Sequence, residues 1–310
     1  MIQSEKQLIN ELNPAIEFLL DRHIATSKKW NPHEYIPWER GSRLATEGFL
    51  YGENSIPDNL KSSFIINLLT EDSLPWYSRT LSEVFGRESV VGEWIHRWTA
   101  EEARHSYVLR SYITLSGIMD PVKLEQDRIA FVSTGRVPEL VRDKITNDYL
   151  DGYGVCQSFA YTTIQELSAR SSYFNMAQQL DDKAGYEILK RVLTDENHHF
   201  LFYRDAVKEI LKIDPSSMIV SLSKVIMQFE MPGVGAPGYA QHARNISDSG
   251  VYSIRSYYED VLMPILKHWD IFNITGLNST AERSRDDLIK FLTRLKKIIQ
   301  RKYGIIYNDF

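Results

Sequence analysis

The chain has 310 residues, an ordinary globular composition and a formal net charge of −5, long enough for one large or two ordinary domains with a substantial core. The negative charge argues against general nucleic-acid binding, and no run approaches the roughly 18 apolar residues of a membrane span. Cys156 is the only cysteine, which excludes an internal disulfide and any Cys-rich zinc or iron–sulfur site within one chain. That usage fits a reducing, cytoplasmic setting, and the first residues resemble neither a secretory signal nor an organelle transit segment.

Apolar residues recur at helical spacing and strand alternation is scarce, so the predicted class is all-α. Residues 30–42, with Trp30, Pro32, Pro37 and Trp38, read as an ordered connection anchored by aromatics. Next comes a stripe of Phe64, Leu68 and Glu71, which fades before Pro75, where a proline should kink or end the helix. Trp94, Trp98, Glu102, His105 and Leu109 then share one helix face. Phe159, Thr163, Glu166 and Tyr173 form a third stripe with Arg170 at its edge, and Leu189, Val192 or Leu193, Glu196, His199 and Tyr203 form a fourth. The Gly- and Pro-rich stretch 231–250 reads as a long loop between a core bundle of about 57–230 and C-terminal helices of 251–302. One domain spanning 1–310 is the expected organisation.

Within these stripes lies a doubled pattern: Glu71, then Glu102 with His105; Glu166, then Glu196 with His199. Each lone glutamate precedes its Glu-x-x-His by about 30 residues, the arrangement of a carboxylate-bridged two-metal centre in a four-helix bundle. Four inward carboxylates would be severely unfavourable alone. Two divalent ions neutralise their −4, the imidazoles staying neutral. A Glu and a His three apart lie one helical turn from each other, so each pair offers one metal an oxygen and a nitrogen. Glu102 and Glu196 can then bridge while Glu71 and Glu166 are terminal. Such ligands suit iron or manganese better than thiolate-seeking metals, without excluding zinc. Glu101 and His198 compete with Glu102 and His199, but only the latter keep the three-residue spacing. Glu101 and His198 are left as supporting or surface groups, and Asp195 as a carboxylate able to orient a ligating imidazole.

At these residues the chain resembles the soluble acyl-acyl-carrier-protein desaturases. The strings that carry the resemblance are Leu69-Thr70-Glu71-Asp72-Ser73-Leu74-Pro75, Trp98-Thr99-Ala100-Glu101-Glu102-Ala103-Arg104-His105, Gln165-Glu166 and Asp195-Glu196-Asn197-His198-His199. Met231-Pro232, Gly250-Val251-Tyr252 and Thr275-Gly276-Leu277 extend it, so that it covers about residues 25 to 300. It implies a ferritin-like di-iron bundle extended by N- and C-terminal helices, two iron ions, a homodimer, and oxygen-dependent insertion of a double bond into an acyl chain on acyl carrier protein. It also implies electrons from ferredoxin, entering through Trp30, Asp195 and His105, although Trp30 can equally be a hydrophobic anchor. One departure stands out: three residues after Glu166, where the family usually has a threonine, this chain has Ala169.

Trp76, Tyr77 and Phe159 are the expected lining of an acyl tunnel, and Lys28 and Lys29 the expected contact for an acidic carrier protein. The basic set Arg294, Lys296, Lys297, Arg301 and Lys302 reads instead as a solvated face. Alternatives are a related di-iron hydroxylase or oxidase, favoured by Ala169, and a ferritin-type iron-binding protein, opposed by the length beyond residue 231. A radical-generating reductase subunit would require a tyrosine beside the metals.

Overall fold

The computed structural model describes residues 5–42, 56–133, 154–231 and 233–307. Every regular element among them is helical, and no described helix is long and apolar enough to cross a membrane. Helix α1 (Glu5–Thr26) buries Leu8, Leu12, Ile16, Leu19, Leu20 and His23 on one stripe. The following connection holds two short 3₁₀ turns, Pro32–Glu34 and Trp38–Arg40. Trp30 does pack against the core there, but Trp38 is 51% exposed and holds only the connection itself, donating to the His33 carbonyl at 3.1 Å and stacking on the His33 ring.

Helix α2 (Asp58–Glu71) ends at the first glutamate of the pattern, and the chain turns into α3 (Leu74–Phe85) with Pro75 in its first turn. Proline is favourable there because the first helical N–H groups have no intrahelical acceptor. Helix α4 (Val90–Leu115) starts on Ser89, whose hydroxyl accepts the Gly92 N–H. Helix α5 (Pro121–Val132) follows, then α6 (Gly154–Gln179) and α7 (Lys183–Ile213). Asp182 caps α7 by accepting the Gly185 N–H at 2.9 Å. A Cβ on Gly185 would lie 2.4 Å from the Tyr112 hydroxyl, so glycine is what allows α7 to begin hard against α4.

Helices α2, α4, α7 and α6 contact one another in a closed ring, with α1 laid over α7, α4 and α6. Helix α8 (Pro215–Gln228) packs on α6, and α11 (Ser279–Tyr303) on α8. Between them, residues 254–268 (α10) pass from Ile254–Ser256 through a π-helical turn, Tyr257–Leu262, into Met263–His268. Two corrections to the sequence reading arise here. Tyr239–Asp248 is a helix, α9, packed on α2; between Gly238 and Gly250 there is no Gly or Pro, and from Tyr239 the chain is free to coil. Pro232 lies outside the described residues. Lys296 is buried rather than solvated, 6% exposed on the inner side of α11.

The core divides into two apolar clusters stacked along the bundle. Helix α4 gives Val91, Trp94, Ile95 and Trp98 to one, and Val108, Leu109, Tyr112 and Ile113 to the other. Helix α7, running the opposite way, gives Ile188, Leu189 and Val192 to the second and Phe202, Tyr203 and Ala206 to the first. The segments left between, 101–105 and 195–199, form a polar layer enclosed by apolar packing.

Candidate metal centre

All six residues of the doubled pattern meet in that layer, each 8% exposed or less. Their ligand atoms fall into two groups, each with all atoms within 4.8 Å of one another: Glu71, Glu102, His105 and Glu196; and Glu102, Glu166, Glu196 and His199. Glu102 and Glu196 belong to both.

The histidines fix how each group is arranged. His105 Nε2 lies 3.0 Å from Asp195 Oδ2, and His199 Nε2 lies 3.0 Å from Glu101 Oε2. Burial would raise both carboxyl groups, but their imidazole neighbours outweigh it and hold them below the usual carboxylate range. They are therefore ionised acceptors, and each histidine must present its Nε2–H to them, which leaves Nδ1 as the atom that can take a metal once the ring is neutral. His105 Nδ1 faces Glu102 at 3.4 Å, Glu196 at 3.5 Å and Glu71 at 3.8 Å. His199 Nδ1 faces Glu102 at 2.7 Å and Glu166 at 3.6 Å.

Close as they are, both Nδ1 atoms, Glu102 Oε1 and Glu166 Oε2 lack any hydrogen bond of good geometry. Buried polar atoms are rarely left so, and here the unsatisfied atoms converge, which is what two metal positions with shared carboxylates require. The donor set of four carboxylates and two imidazoles therefore fits a pair of iron-type ions. Without metal, crowding divides the carboxyl groups. Burial and mutual repulsion raise Glu71 and Glu196 well above their usual range, and burial raises Glu166. Glu102, where burial is outweighed by His105 and His199, is held low. Burial likewise opposes a charged His105, but the surrounding carboxylates, Glu102 first, lift it to about 10.

A second ring of side chains holds the first. Trp98 Nε1 donates to Glu166 Oε1 at 3.0 Å, and the Tyr173 hydroxyl donates to Glu71 Oε1 at 2.5 Å. Trp30 Nε1 donates to Asp195 Oδ2 at 2.8 Å, the oxygen that also accepts from His105 and Arg104. Trp30, Asp195 and His105 are thus one continuous hydrogen-bonded chain. On the other side Glu101 accepts from His23 Nε2 at 3.0 Å and pairs with Arg97. His23 and Tyr173 were not assigned from sequence, and Glu101 was left as a supporting or surface group. Glu101 had a signal, because each glutamate shared by the two groups is directly preceded by an acid, Glu101 and Asp195, and each acid holds the other motif's histidine.

A cavity of about 40 Å³ lies against this centre, lined by Glu71, Glu102 and Glu196 together with Leu74, Tyr77, Ala169 and Tyr173. Of the three residues expected to line a tunnel, only Tyr77 is there. Trp76 donates to the Val132 carbonyl at 2.8 Å, at the end of α5. Phe159 is packed between Phe85 and Tyr203 in the first apolar cluster. Lys28 and Lys29 are exposed beside Trp30.

A family model described as fatty acid desaturase matches residues 4–304. The chain belongs to the fatty acid desaturase family. That match takes in the whole of α1, beyond the stretch whose strings resembled the family. DesA1 of Mycobacterium tuberculosis (strain ATCC 25618 / H37Rv), provisionally named an acyl-acyl-carrier-protein desaturase, is 34% identical over 92% of this chain and 84% of its own length. Stearoyl-acyl-carrier-protein 9-desaturase 5 of Arabidopsis thaliana, a chloroplastic protein, is 26% identical over 94% of this chain and 75% of its own. The X-ray structure of DesA2 from M. tuberculosis H37Rv shares the fold of this desaturase-family chain, with a TM-score of 0.67 at 19% identity over 89% of this chain and 98% of that one.

Proposed function

We propose that the chain is a di-iron, oxygen-dependent desaturase that inserts a double bond into an acyl chain carried on acyl carrier protein. The observation that carries this reading is the pair of ligand groups sharing Glu102 and Glu196 in a member of the fatty acid desaturase family. Two iron ions held by the six residues would supply the oxidising power toward an alkyl C–H bond that no side chain possesses.

The protein's own part is to position and to exclude. Asp195 and Glu101 fix the imidazoles with Nδ1 inward, Trp98 and Tyr173 orient Glu166 and Glu71, and the two apolar clusters keep bulk water away. The Tyr173 hydroxyl also holds a proton at the edge of the cavity. That cavity has room for about three water molecules, so an acyl chain enters only by displacing side chains, Tyr77 among them. Overall, one O2 takes four electrons and four protons to become two waters. Two of each come from the acyl C–H bonds, two electrons from ferredoxin and two protons from solvent. Electrons enter along Trp30, Asp195 and His105. The carrier protein docks at Lys28 and Lys29, and the enzyme works as a cytoplasmic homodimer.

Ala169 favours one second reading, hydroxylation of the same acyl chain, because the cavity wall carries no hydroxyl at that position. Anaerobic iron loading, then turnover with reduced ferredoxin and a panel of acyl-carrier-protein substrates, tests both. A mono-olefin is the expected product; a hydroxylated chain in its place contradicts desaturation.

A further inference from the structure

Helix α1 lies outside the four ligand helices, yet it sends one imidazole into their polar layer. The other buried positions of α1 are aliphatic: Leu8, Leu12, Ile16, Leu19 and Leu20. His23 continues that stripe at 4% exposure, where a leucine would cost less to bury. Its ring packs edge-on against Trp94 at 4.9 Å and lies within 25° of parallel to His199, with centroids 6.0 Å apart. Nδ1 has no partner, so the single polar contact of the ring is Nε2 to Glu101 Oε2 at 3.0 Å.

That oxygen is also the acceptor for His199 Nε2 at 3.0 Å. The arrangement matches the one across the layer, where Trp30 Nε1 and His105 Nε2 converge on Asp195 Oδ2 at 2.8 and 3.0 Å. Each imidazole of the centre is thus held by an acid from the opposite motif, and each acid by one N–H donor from outside the bundle. The outer donors differ: an indole on one side, an imidazole on the other.

We propose that His23 is a positioning residue for one of the two metal positions. By holding Glu101 against His199, it fixes the ring plane of His199 with Nδ1 inward and so sets the affinity of the position formed by Glu102, Glu166, Glu196 and His199. The position at His105, held through Asp195 and Trp30, does not depend on it. The proposal rests on the two-metal reading above.

The test is anaerobic titration of the metal-free protein with Co²⁺, counting bound metal by equilibrium dialysis and following the visible ligand-field bands. Wild type is expected to take two Co²⁺ per chain. His23→Phe keeps the ring and loses the donor; it is expected to bind one Co²⁺ as wild type does and the second about ten- to a hundredfold more weakly. His23→Gln, which restores an N–H near the Nε2 position, is expected to recover most of that loss. Adding Glu166→Ala to His23→Phe should lower the count no further than Glu166→Ala alone, which assigns the weakened position.

Two wild-type affinities in His23→Phe overturn the proposal, as does a His23→Gln variant no better than His23→Phe. If His23→Phe does not fold, Glu101→Gln replaces it, with the same selective loss expected and two unchanged affinities overturning. A wild-type protein that binds no Co²⁺ instead overturns the two-metal reading itself.

Discussion

The two halves of the centre repeat in sequence but differ in setting. Glu166 sits in mid-helix on α6, its carboxylate tied by Trp98 and enclosed by packing. Glu71 is the last residue of α2, next to the turn that leads into α3, and the cavity borders it together with Glu102 and Glu196. Neither Glu166 nor either histidine borders that cavity. Ending a helix at a ligand opens one side of a buried site, whereas continuing the helix past the ligand seals it. In the proposed enzyme the acyl chain therefore approaches from the Glu71 side, and the Glu166 side serves to retain metal.

The largest expected effect comes from the residues that both halves share. Glu102→Ala removes a carboxylate common to both groups, and product formation by gas chromatography should fall below detection. Residual turnover near wild type would mean that the halves do not share it. Next, Ala169→Leu fills the open side: KM for the acyl substrate should rise at least about tenfold while metal content stays unchanged, since even one extra methylene in a hydrophobic pocket is worth about 1–3 kcal/mol. A loss of metal instead would place Ala169 on the retaining side.

Tyr173→Phe keeps the ring and removes one hydrogen bond to Glu71. Metal affinity at the His105 position should drop about tenfold, the low end for losing a partner of a ligand, with the His199 position unchanged in a Co²⁺ titration.

The smallest effect is one of pH. In the metal-free protein His105 holds its proton up to about pH 10, against an ordinary 6.5. Between those values the folded chain binds a proton that the unfolded chain has released, so stability falls as pH rises through that window. Glu71 and Glu196, raised as well, act in the same direction above 4.5. Metal binding requires neutral imidazoles and ionised carboxylates, so it strengthens with pH. By calorimetry, Tm of the metal-free protein should fall by a few degrees from pH 7 to 9, about the shift produced by 1–2 kcal/mol in a chain of this size. The gap to the metal-loaded protein should widen; a narrowing gap would contradict the picture of protonated, metal-free ligands.

The six residues of the doubled pattern were legible because burial and chemistry coincide on one period. Trp94, Trp98, Glu102, His105 and Leu109 are all buried on one face of α4, and a glutamate on such a face demands a counter-charge. Pro75 likewise marked the end of α2. What stayed hidden depends on contacts between distant segments. His23 meets Glu101 across 78 residues, and inside the stripe of α1 it reads as one more inward position. Tyr173 fell on the stripe of Glu166, but nothing in its spacing shows that the end of α2 lies beside it. Trp76 and Phe159 were assigned to a tunnel on size and apolarity alone, properties that packed core residues share. Helix α9 was missed because glycines and prolines mark where a loop begins more clearly than where it ends.

Iron content after anaerobic loading, measured by elemental analysis on wild type and Glu102→Ala side by side, tests the central claim most directly. A centre built on shared carboxylates predicts two irons per chain in wild type and neither retained at stoichiometric loading in the variant. Two irons retained by Glu102→Ala would contradict it.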